Sequence, residues 1–352
     1  MRVSLITDAW RPQINGVVTA LESTVAELAA MGHEVDPITP AGSPSVPLPT
    51  YREIRLATDA RRKVRHRLEA FAPDAVHIAT EGPLGLAARW YCGRARIPFT
   101  TSFHTRFPEY VRQRLPFVPL SWGYAFMRWF HGGAERTMVT NDPLRAELAA
   151  WGLEDLVLWP RGVDAEHFRP VGRGELGVRR PVFLYLGRVA VEKSVADFLA
   201  LDLPGTKVVV GDGPARPRLE AAHPEAVFTG YRTGEALVRA LSDADVFVFP
   251  SRTDSLGLVL LEALACGVPV AAYPVTGPEH IVEHGVTGYL AEDLEGAARA
   301  ALGLDPAECR AAALRRSWRE CTEAFLGHLA PRGAAACTTR PGGAARDALP
   351  EE

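Results

Sequence analysis

Short runs of apolar and β-branched residues alternate with longer helical patterns along this chain, and this alternation restricts the possible folds more than any other feature. The first series of runs covers residues 3–7, 35–39, 75–79, 99–102, 138–140 and 157–159. Helical patterns such as 18–31, 61–71 and 143–151 lie between them. Strands that alternate with helices indicate a parallel sheet covered by helices on both faces.

Turn residues then interrupt the alternation, which starts again further along the chain. Gly, Pro and Asp are frequent between residues 161 and 174, and new apolar runs follow at 182–186, 207–210, 227–229, 246–249 and 268–272. We therefore predict an α/β fold of two doubly wound, Rossmann-like domains that face a cleft. The predicted parts are a first domain 1–164, a linker 165–174, a second domain 175–305, a crossing helix 306–330 and a disordered tail 331–352.

Bulk properties exclude several classes of protein. The net charge of −3 argues against a nucleic-acid-binding protein, because no overall positive field would attract phosphates. The 5 cysteines lack a Cys-x-x-Cys spacing, so neither a disulfide framework nor a zinc ribbon is indicated. Because we find neither a signal-peptide pattern nor an apolar run long enough for a membrane span, we expect a cytoplasmic protein.

Two carboxylates separated by seven residues follow one of the later apolar runs. Asp254 comes after the run 246–249, and Glu262 lies in the next helical pattern. Such carboxylates can accept hydrogen bonds from hydroxyl groups on two parts of one extended ligand. Backbone amides that open the predicted helix favour a phosphate, and they belong to Ser255, Leu256, Gly257 and Leu258. Together these features predict a nucleotide-sugar site.

A second phosphate-binding candidate follows the run 182–186. Gly187 and Arg188 occupy the exit of that predicted strand, and Lys193 comes five residues later. A guanidinium fork and an ammonium group can together neutralise a diphosphate without a metal ion. The alternative interpretation, an arginine in a salt bridge and a solvated lysine, is equally common for an isolated pair of this kind.

These motifs, taken in order with Gly-Asp-Gly-Pro at 211–214 and Phe-Thr-Gly-Tyr at 228–231, resemble the retaining glycosyltransferases of family 4, also called glycosyl transferases group 1. The resemblance implies the GT-B fold, a nucleotide-diphosphate-sugar donor and no cofactor or metal. It also implies that Arg188 and Lys193 clamp the diphosphate, that Glu262 binds ribose and that Asp254 binds the donor sugar. Base contacts are expected from the backbone of Gly230, Tyr231 and Arg232.

The resemblance extends to the first domain. Asn15 and Gly16 stand where the family commonly has two glycines beside the phosphate and sugar, and His104 matches a histidine beside the donor sugar. We find no residue suited to act as an acceptor base, so we expect the departing phosphate oxygen to take the proton and the anomeric configuration to be retained.

The branch of the family and the donor are less closely defined. Asp254 replaces the usual glutamate, as in some mannosyltransferase-like and glycolipid-synthase-like branches. The predicted diphosphate and ribose contacts do not distinguish GDP-mannose from a UDP-hexose as the donor. The acceptor, a diacylglycerol-type lipid or a mannosylated saccharide, also stays open, as do processivity and oligomeric state.

Other patterns support different functions. Asp243 and Asp245 imitate a metal-binding Asp-x-Asp, but they precede a predicted strand and so lie away from the site. The segment 280–284 reads His-Ile-Val-Glu-His, which imitates a zinc-protease helix and makes a metallopeptidase the alternative enzyme class. A catalytically inactive nucleotide-sugar-binding module is a further alternative, although the clamp and both carboxylates are intact.

Two segments favour attachment to an anionic membrane surface. Arginines are concentrated at 61–67, and aromatic residues alternate with arginines between 110 and 130. Basic and aromatic residues together suit peripheral attachment to a bilayer, although a basic helix is more often an ordinary solvated face. The sequence therefore predicts a cytoplasmic enzyme that can attach to the inner face of the membrane.

Overall fold

The structure is a computed structural model that describes residues 1–13, 15–48, 51–115, 117–254 and 256–332. The first domain contains these elements in chain order: β1 (Arg2–Ile6), α1 (Gly16–Ala30), β2 (Glu34–Ile38), β3 (Ser45–Leu48), β4 (Tyr51–Ala57), α2 (Ala60–Phe71), β5 (Ala75–Ile78), α3 (Pro83–Ala95), β6 (Thr100–Ser102), α4 (Phe107–Arg114), α5 (Leu120–His131), β7 (Arg136–Val139), α6 (Asp142–Ala150) and β8 (Leu156–Leu158). Its main sheet is parallel throughout, in the order β2-β1-β5-β6-β7-β8. The antiparallel pair β3-β4 was not predicted.

The second domain repeats this architecture. Its elements are β9 (Val182–Leu186), α7 (Val195–Ala200), β10 (Thr206–Val210), α8 (Arg216–Ala222), β11 (Val227–Gly230), α9 (Gly234–Asp243), β12 (Val246–Phe249), α10 (Leu258–Ala265), β13 (Val270–Ala272), α11 (Thr276–Ile281), β14 (Gly288–Leu290), α12 (Leu294–Ala301), α13 (Pro306–Leu314) and α14 (Trp318–His328). The parallel sheet has the order β11-β10-β9-β12-β13-β14. The predicted pair of doubly wound α/β domains is confirmed, and β14 is an additional strand that the sequence did not indicate.

The strand β12 illustrates why these segments form interior strands. All four of its residues are buried, and parallel sheets covered on both faces require such continuous apolar runs. The strands of each sheet run in the same direction, so their carboxyl ends share one edge. In both domains the segments that carry the predicted site residues leave the sheet at that edge.

The buried carboxylate Asp8 fixes the start of α3 in the first domain. It follows β1 and accepts hydrogen bonds from the backbone N–H groups of Leu84 at 2.9 Å and Gly85 at 3.2 Å. Burial nevertheless raises the pKa of Asp8 to about 6, because desolvation outweighs these hydrogen bonds. A side chain at Gly82 would place its Cβ 2.4 Å from the Asp8 carboxyl carbon, so this cap requires glycine there. Asp8 therefore has a structural role.

The prediction of a single crossing helix over 306–330 is wrong, because the structure has two helices there, α13 and α14. The end of α13 is marked by a hydrogen bond from Arg316 N to Ala313 O, and Ser317 begins α14 by accepting from Glu320 N at 3.2 Å. The carbonyl of Arg316 turns away and accepts from Val163 N at 3.0 Å. The break therefore brings the returning chain onto the segment that leaves the first domain.

The two helices pack on different domains. Cys309 and Ala313 of α13 belong to the core of the second domain, whereas Phe325 of α14 packs with Trp159 in the core of the first. The chain thus crosses back between the domains at the break. The tail predicted to be disordered lies outside the described residues from 333 onward.

Gly162 lies where the two chain segments cross. A Cβ on this residue would lie 2.5 Å from the backbone carbonyl carbon of Ser317 and from the backbone nitrogen of Trp318. We expect Gly162→Ala to destabilise the protein by about 1–3 kcal/mol, the usual cost of overpacking against atoms that cannot move aside. Chemical denaturation followed by tryptophan fluorescence measures this change.

The matched control is Gly93→Ala on α3, where an added Cβ meets no atom within 4 Å. This control should be neutral or more stable by up to about 1 kcal/mol, because alanine favours helix over glycine. Equal stabilities of Gly162→Ala and the wild-type protein would contradict the close crossing.

Candidate functional site

The carboxyl-terminal edges of the two sheets face each other across a cleft. The two domains contact each other at several points along it. A Cβ on Gly16 at the start of α1 would lie 3.6 Å from Leu258 Cδ1 at the start of α10. Arg106 of the first domain donates to Thr276 Oγ1 of the second at 3.2 Å and also forms a bidentate pair with Glu147. The predicted donor-side residues of both domains therefore lie close together.

The loop after β9 contains the proposed phosphate clamp. Gly187 has φ +151°, and a Cβ there would lie 2.8 Å from the Tyr185 hydroxyl. That hydroxyl donates to the Arg188 carbonyl at 2.8 Å, which fixes the backbone of the loop. Lys193 ends a one-turn 3-10 helix, Val191–Lys193.

An ion pair joins Lys193 to Asp254 in the cleft. Both side chains are largely buried, and burial acts to lower the pKa of Lys193. The charge of Asp254 and its hydrogen bond with Lys193 outweigh that effect and raise the pKa of Lys193 above its ordinary value, so the ammonium group stays charged. The second carboxylate oxygen of Asp254, Oδ2, is buried without a hydrogen-bond partner among the described residues. It is available to accept from a ligand hydroxyl.

Tyr110 reaches this ion pair from the opposite domain. It lies on α4, its side chain hydrogen-bonds Thr253, and burial raises the pKa of its hydroxyl. Sequence reasoning missed this role, because Tyr110 was interpreted only as part of a membrane-facing surface. A tyrosine six residues after the cleft histidine offers no periodic signal that would have identified it.

Glu262 projects from α10 as a carboxyl group without a counter-ion. Glu262 is partly buried, and burial raises the pKa of its carboxyl group to about 7. Among the described residues, its carboxylate has no ion-pair or hydrogen-bond partner. A partly buried, unpaired carboxylate costs stability, and such groups are concentrated at functional sites. The predicted ribose-binding residue thus has the electrostatic properties expected of a ligand-binding group.

The N-terminus of α10 lies between these two carboxylates. The helix begins at Leu258 rather than at Ser255, and its N-cap Gly257 has φ +83° and supplies no side-chain cap. Ser255 lies outside the described residues. A Cβ on Gly277 of α11 would lie 2.7 Å from the Leu256 carbonyl, so α11 packs directly on this loop. The uncapped N-terminus is suited to a phosphate.

The predicted base-binding segment follows β11. Gly230 has φ +73°, and its carbonyl accepts from Gly211 N at 2.9 Å, which joins the segment to the loop after β10. Tyr231 is half exposed and donates to the Asp212 carbonyl at 3.3 Å. Arg232 pairs with Glu175 at 3.8 Å. The Tyr231 ring is therefore fixed at its hydroxyl end with its face accessible.

Asn15 has a different local role from the one that the sequence suggested. Its side-chain oxygen accepts from Val17 N and Val18 N, each at 3.0 Å, and so caps α1. That oxygen is already engaged, which leaves the backbone around Gly16 as the surface that faces Leu258. We still predict that Asn15 contacts the donor, but through its backbone rather than through its side-chain oxygen.

His104 lies after β6 at the cleft edge, and both of its ring nitrogens have protein partners. Arg161 donates to Nδ1 at 3.3 Å, and Nε2 lies 2.9 Å from Ser102 Oγ. Burial, together with the charge of Arg161, holds the pKa of His104 well below its ordinary value. The imidazole is therefore neutral. Sequence analysis missed Arg161, because a single arginine in a turn-rich segment carries no pattern.

The alternative metal sites are used in other ways. Asp243 accepts from Gly174 N and Leu176 N, each at 2.7 Å, and Asp245 pairs with Arg180. In the protease-like segment, Glu283 pairs with Arg315 and His284 Nδ1 accepts from Leu290 N. Within the described part of the chain, no group of three or more His, Cys, Asp or Glu is arranged to hold a metal ion.

Comparison with known proteins agrees with this fold and site. Residues 14–167 match the model of Glycosyltransferase Family 4, and residues 180–304 match that of Glycosyl transferases group 1. The chain is similar in fold to a sucrose-phosphate synthase from Thermosynechococcus elongatus, with a TM-score of 0.72 and 22% identity over 92% of this chain and 94% of that one. These matches define a two-domain glycosyltransferase of the GT-B fold.

Curated relatives define the family. A GDP-mannose-dependent alpha-mannosyltransferase of Mycobacterium tuberculosis is 30% identical over 93% of this chain and 96% of that protein. An alpha-monoglucosyldiacylglycerol synthase of Streptococcus pneumoniae is 26% identical over 87% of this chain and 79% of that protein. The chain belongs to glycosyltransferase family 4. It is a hexosyltransferase, and nothing supports the metallopeptidase alternative.

The pKa of Glu262 generates a prediction for stability. The folded carboxyl group holds its proton up to about pH 7, whereas an unfolded one loses it near 4.5. The folded state therefore loses about 3 kcal/mol relative to the unfolded state as the pH rises through this window. We expect Glu262→Gln to be more stable than wild type at pH 8, by up to that amount, and nearly equal at pH 5.

Urea denaturation at both pH values measures the difference, with Glu27→Gln on α1 as the control. The same Glu262→Gln variant should bind free nucleotide more weakly, because a neutral amide accepts less strongly from ribose hydroxyls. A stability difference that is the same at pH 5 and pH 8 would show that Glu262 is not the source of the pH dependence.

Proposed function

We propose that this protein transfers a mannosyl group from GDP-mannose to a lipid-borne acceptor, with retention of the anomeric configuration and without a metal ion. The observation that carries the proposal is the arrangement of Lys193, Asp254 and Glu262 around the uncapped N-terminus of α10. The Lys193 ammonium group and the backbone amides at the start of α10 suit a diphosphate. The two incompletely paired carboxylates, Asp254 and Glu262, suit the hydroxyls of a sugar on one side of it and a ribose on the other.

The roles within this site follow from charge and burial. Lys193, together with Arg188, stabilises the negative charge that develops on the leaving diphosphate. Asp254 binds Lys193 through Oδ1 and keeps Oδ2 for a hydroxyl of the donor sugar. Glu262 accepts from the ribose. The departing phosphate oxygen takes the acceptor proton on the face where the acceptor enters, so an enzyme base is not needed.

GDP-mannose is preferred over a UDP-hexose because of the relatives. GDP-mannose-dependent alpha-mannosyltransferases of M. tuberculosis and Mycolicibacterium smegmatis are 30% and 31% identical to this chain, each over 93% of it. The Streptococcus synthase, whose name describes a glucosylated diacylglycerol, is less similar at 26%. The donor proposal rests on this difference rather than on any base contact.

A lipid-borne acceptor is supported by an exposed apolar surface beside the cleft, here called the apolar rim. The rim consists of Phe107, Leu115, Phe117 and Trp122 on and between α4 and α5, with Phe117 80% and Trp122 70% exposed. The helices α4 and α5 pack closely here, since a Cβ on Gly123 would lie only 2.6 Å from Pro108 Cβ. Exposed aromatic residues so close to the segment that follows His104 suit an acceptor that is presented by a bilayer.

The basic helix α2 contributes less than the sequence suggested. Arg67 pairs with Asp36, and Arg62 and Arg65 lie 3.8 Å and 4.0 Å from acidic neighbours on or next to the same helix. None of the described helices is both long and apolar enough to cross a bilayer. We therefore assign the main membrane contact to the apolar rim.

Product analysis tests the reaction. With GDP-mannose as donor, and diacylglycerol vesicles or methyl α-mannoside as acceptors, we expect an α-linked product whose rate of formation does not change with EDTA. Lys193→Ala should lower turnover by about 10²–10³-fold, the usual loss for one preorganised charge-stabilising group. Lys63→Ala on α2 is the control and should retain wild-type turnover.

Proton NMR of the new anomeric centre identifies the product. A β-linked product rejects the retaining mechanism, and loss of activity with EDTA rejects the metal-free clamp. Turnover of UDP-glucose but not of GDP-mannose would replace the proposed donor and leave the clamp assignment intact.

Vesicle sedimentation tests the apolar rim. We expect the double variant Phe117→Ser and Trp122→Ser to bind anionic vesicles at least about tenfold more weakly, because a buried large apolar side chain contributes about 1.5–3 kcal/mol. Activity on methyl α-mannoside should not change. The matched control is Leu314→Ser on α13, since Leu314 is also exposed but lies on the second domain. Wild-type protein that stays in solution at low salt would favour a soluble saccharide acceptor.

A further inference from the structure

Arg161 is buried in the first domain although the described part of the chain gives it no carboxylate partner. Its NH1 group donates to the Trp159 carbonyl at 2.7 Å and to the Pro160 carbonyl at 3.0 Å. The guanidinium carbon lies 3.7 Å from the centre of the Trp159 ring. Burial of this charge is costly, and it lowers the pKa of Arg161 to about 9. A cost of this kind calls for a functional reason.

The guanidinium group starts a hydrogen-bonded chain with a defined direction. Arginine can only donate, so His104 Nδ1 accepts and the ring proton of His104 is on Nε2. Nε2 then donates to Ser102 Oγ at 2.9 Å. The Ser102 hydroxyl donates to the Ala79 carbonyl at 3.4 Å and also lies 3.1 Å from His77 Nε2.

The chain ends inside the sheet. His77 Nδ1 lies 2.9 Å from Thr100 Oγ1. Burial lowers the pKa of His77 to about 3, so this histidine is neutral. Each ring nitrogen of His77 and His104 thus lies within hydrogen-bond distance of a polar group. Arg161 fixes the direction at His104, because a guanidinium group can only donate.

Arg161 is also linked to the crossing of the two chain segments. It is the residue before Gly162, which abuts the backbone of Ser317 and Trp318. The Trp159 ring, which lies against this guanidinium group, packs edge-on to the His104 ring with the ring centres 5.8 Å apart. It also packs at a tilt on the Phe325 ring of α14, with the ring centres 4.8 Å apart. A shift of α14 would therefore move the arginine that orients the histidine.

We propose that Arg161 is a positioning residue that fixes the tautomer and ring orientation of His104 and couples both to the chain crossing between the domains. His104 presents the same ring face to the cleft whenever the crossing is intact. The inference concerns residues of this chain and does not depend on which donor or acceptor is used.

Nitrogen-15 NMR of histidine-labelled protein tests the tautomer without any donor. In wild-type protein, His104 should be the Nε2–H tautomer and should not titrate between about pH 6 and pH 8. In Arg161→Met, Nδ1 loses its donor and the positive charge disappears, so the tautomers should mix. Burial, the larger cause of the lowered pKa, remains in this variant, so the pKa of His104 should rise but stay below its ordinary value.

Kinetics supply the second measurement. Arg161→Met should lower kcat by about 10–100-fold and change the KM for the donor less than about threefold, because misplaced groups act mainly on the transition state. The matched control is Arg310→Met on α13. Arg310 also donates to backbone carbonyls, those of Phe168 and Ala165 at 3.1 Å each, but it contacts no ring. It should leave the His104 tautomer unchanged.

Three results would overturn the proposal. The first is a wild-type His104 in the Nδ1–H tautomer, a measurement that needs no variant to fold. The second is an unchanged tautomer in folded Arg161→Met. The third is an equal change of tautomer in Arg310→Met. Failure of the GDP-mannose proposal alone would leave the NMR results as predicted, so the two failures can be told apart.

Discussion

The structure depends on the contact at which the chain passes between its domains twice. Gly162 leaves the first domain and abuts the backbone of Ser317 and Trp318, where the chain returns. The hydrogen bond from Val163 N to Arg316 O closes this crossing. Each sheet has its own core, and the site residues meet in the cleft between the sheets, where further contacts such as the one between Arg106 and Thr276 join the domains.

Several charged groups in and beside the cleft are at least partly buried without full compensation. Within the described residues, Glu262 has no ion-pair partner, Asp254 uses one oxygen, and Arg161 has only carbonyls, a ring nitrogen and an aromatic face. Each such group costs stability in the unliganded protein. A nucleotide sugar has complementary groups for the first two, because its hydroxyls donate. In the proposed function, the groups of Glu262 and Asp254 that destabilise the unliganded protein are the same groups that would bind the donor.

The contact between Lys193 and Asp254 has a further consequence. Lys193, the proposed diphosphate clamp, and Asp254, the proposed sugar-binding carboxylate, are already paired across the loops after β9 and β12, and Tyr110 reaches them from the other domain. In the proposed function, a diphosphate that approaches Lys193 competes with Asp254 for its protons. Donor binding would then reorganise a preformed polar network at the surface where the domains touch.

Sequence alone was sufficient for the architecture and for the elements that carry the proposed donor-side residues. Parallel strands buried on both faces must be continuous apolar runs, so the runs at 182–186 and 246–249 identify β9 and β12 with the bounds that the structure has. The spacing of Asp254 and Glu262 likewise identified the loop and helix that carry them, because both lie in one short segment. Tertiary structure decided everything that joins distant parts of the chain.

The break between α13 and α14 depends on Val163, which lies more than 150 positions away, and local helical patterns cannot show such a partner. For the same reason the sequence indicated His104 but not Arg161, and Lys193 but not Tyr110. A hydrogen bond between side chains from separate elements leaves no periodic trace in a single sequence. The residue types and their local spacing were thus determined by the sequence, whereas their partners, protonation and direction of hydrogen bonding were decided by the packing of the two domains.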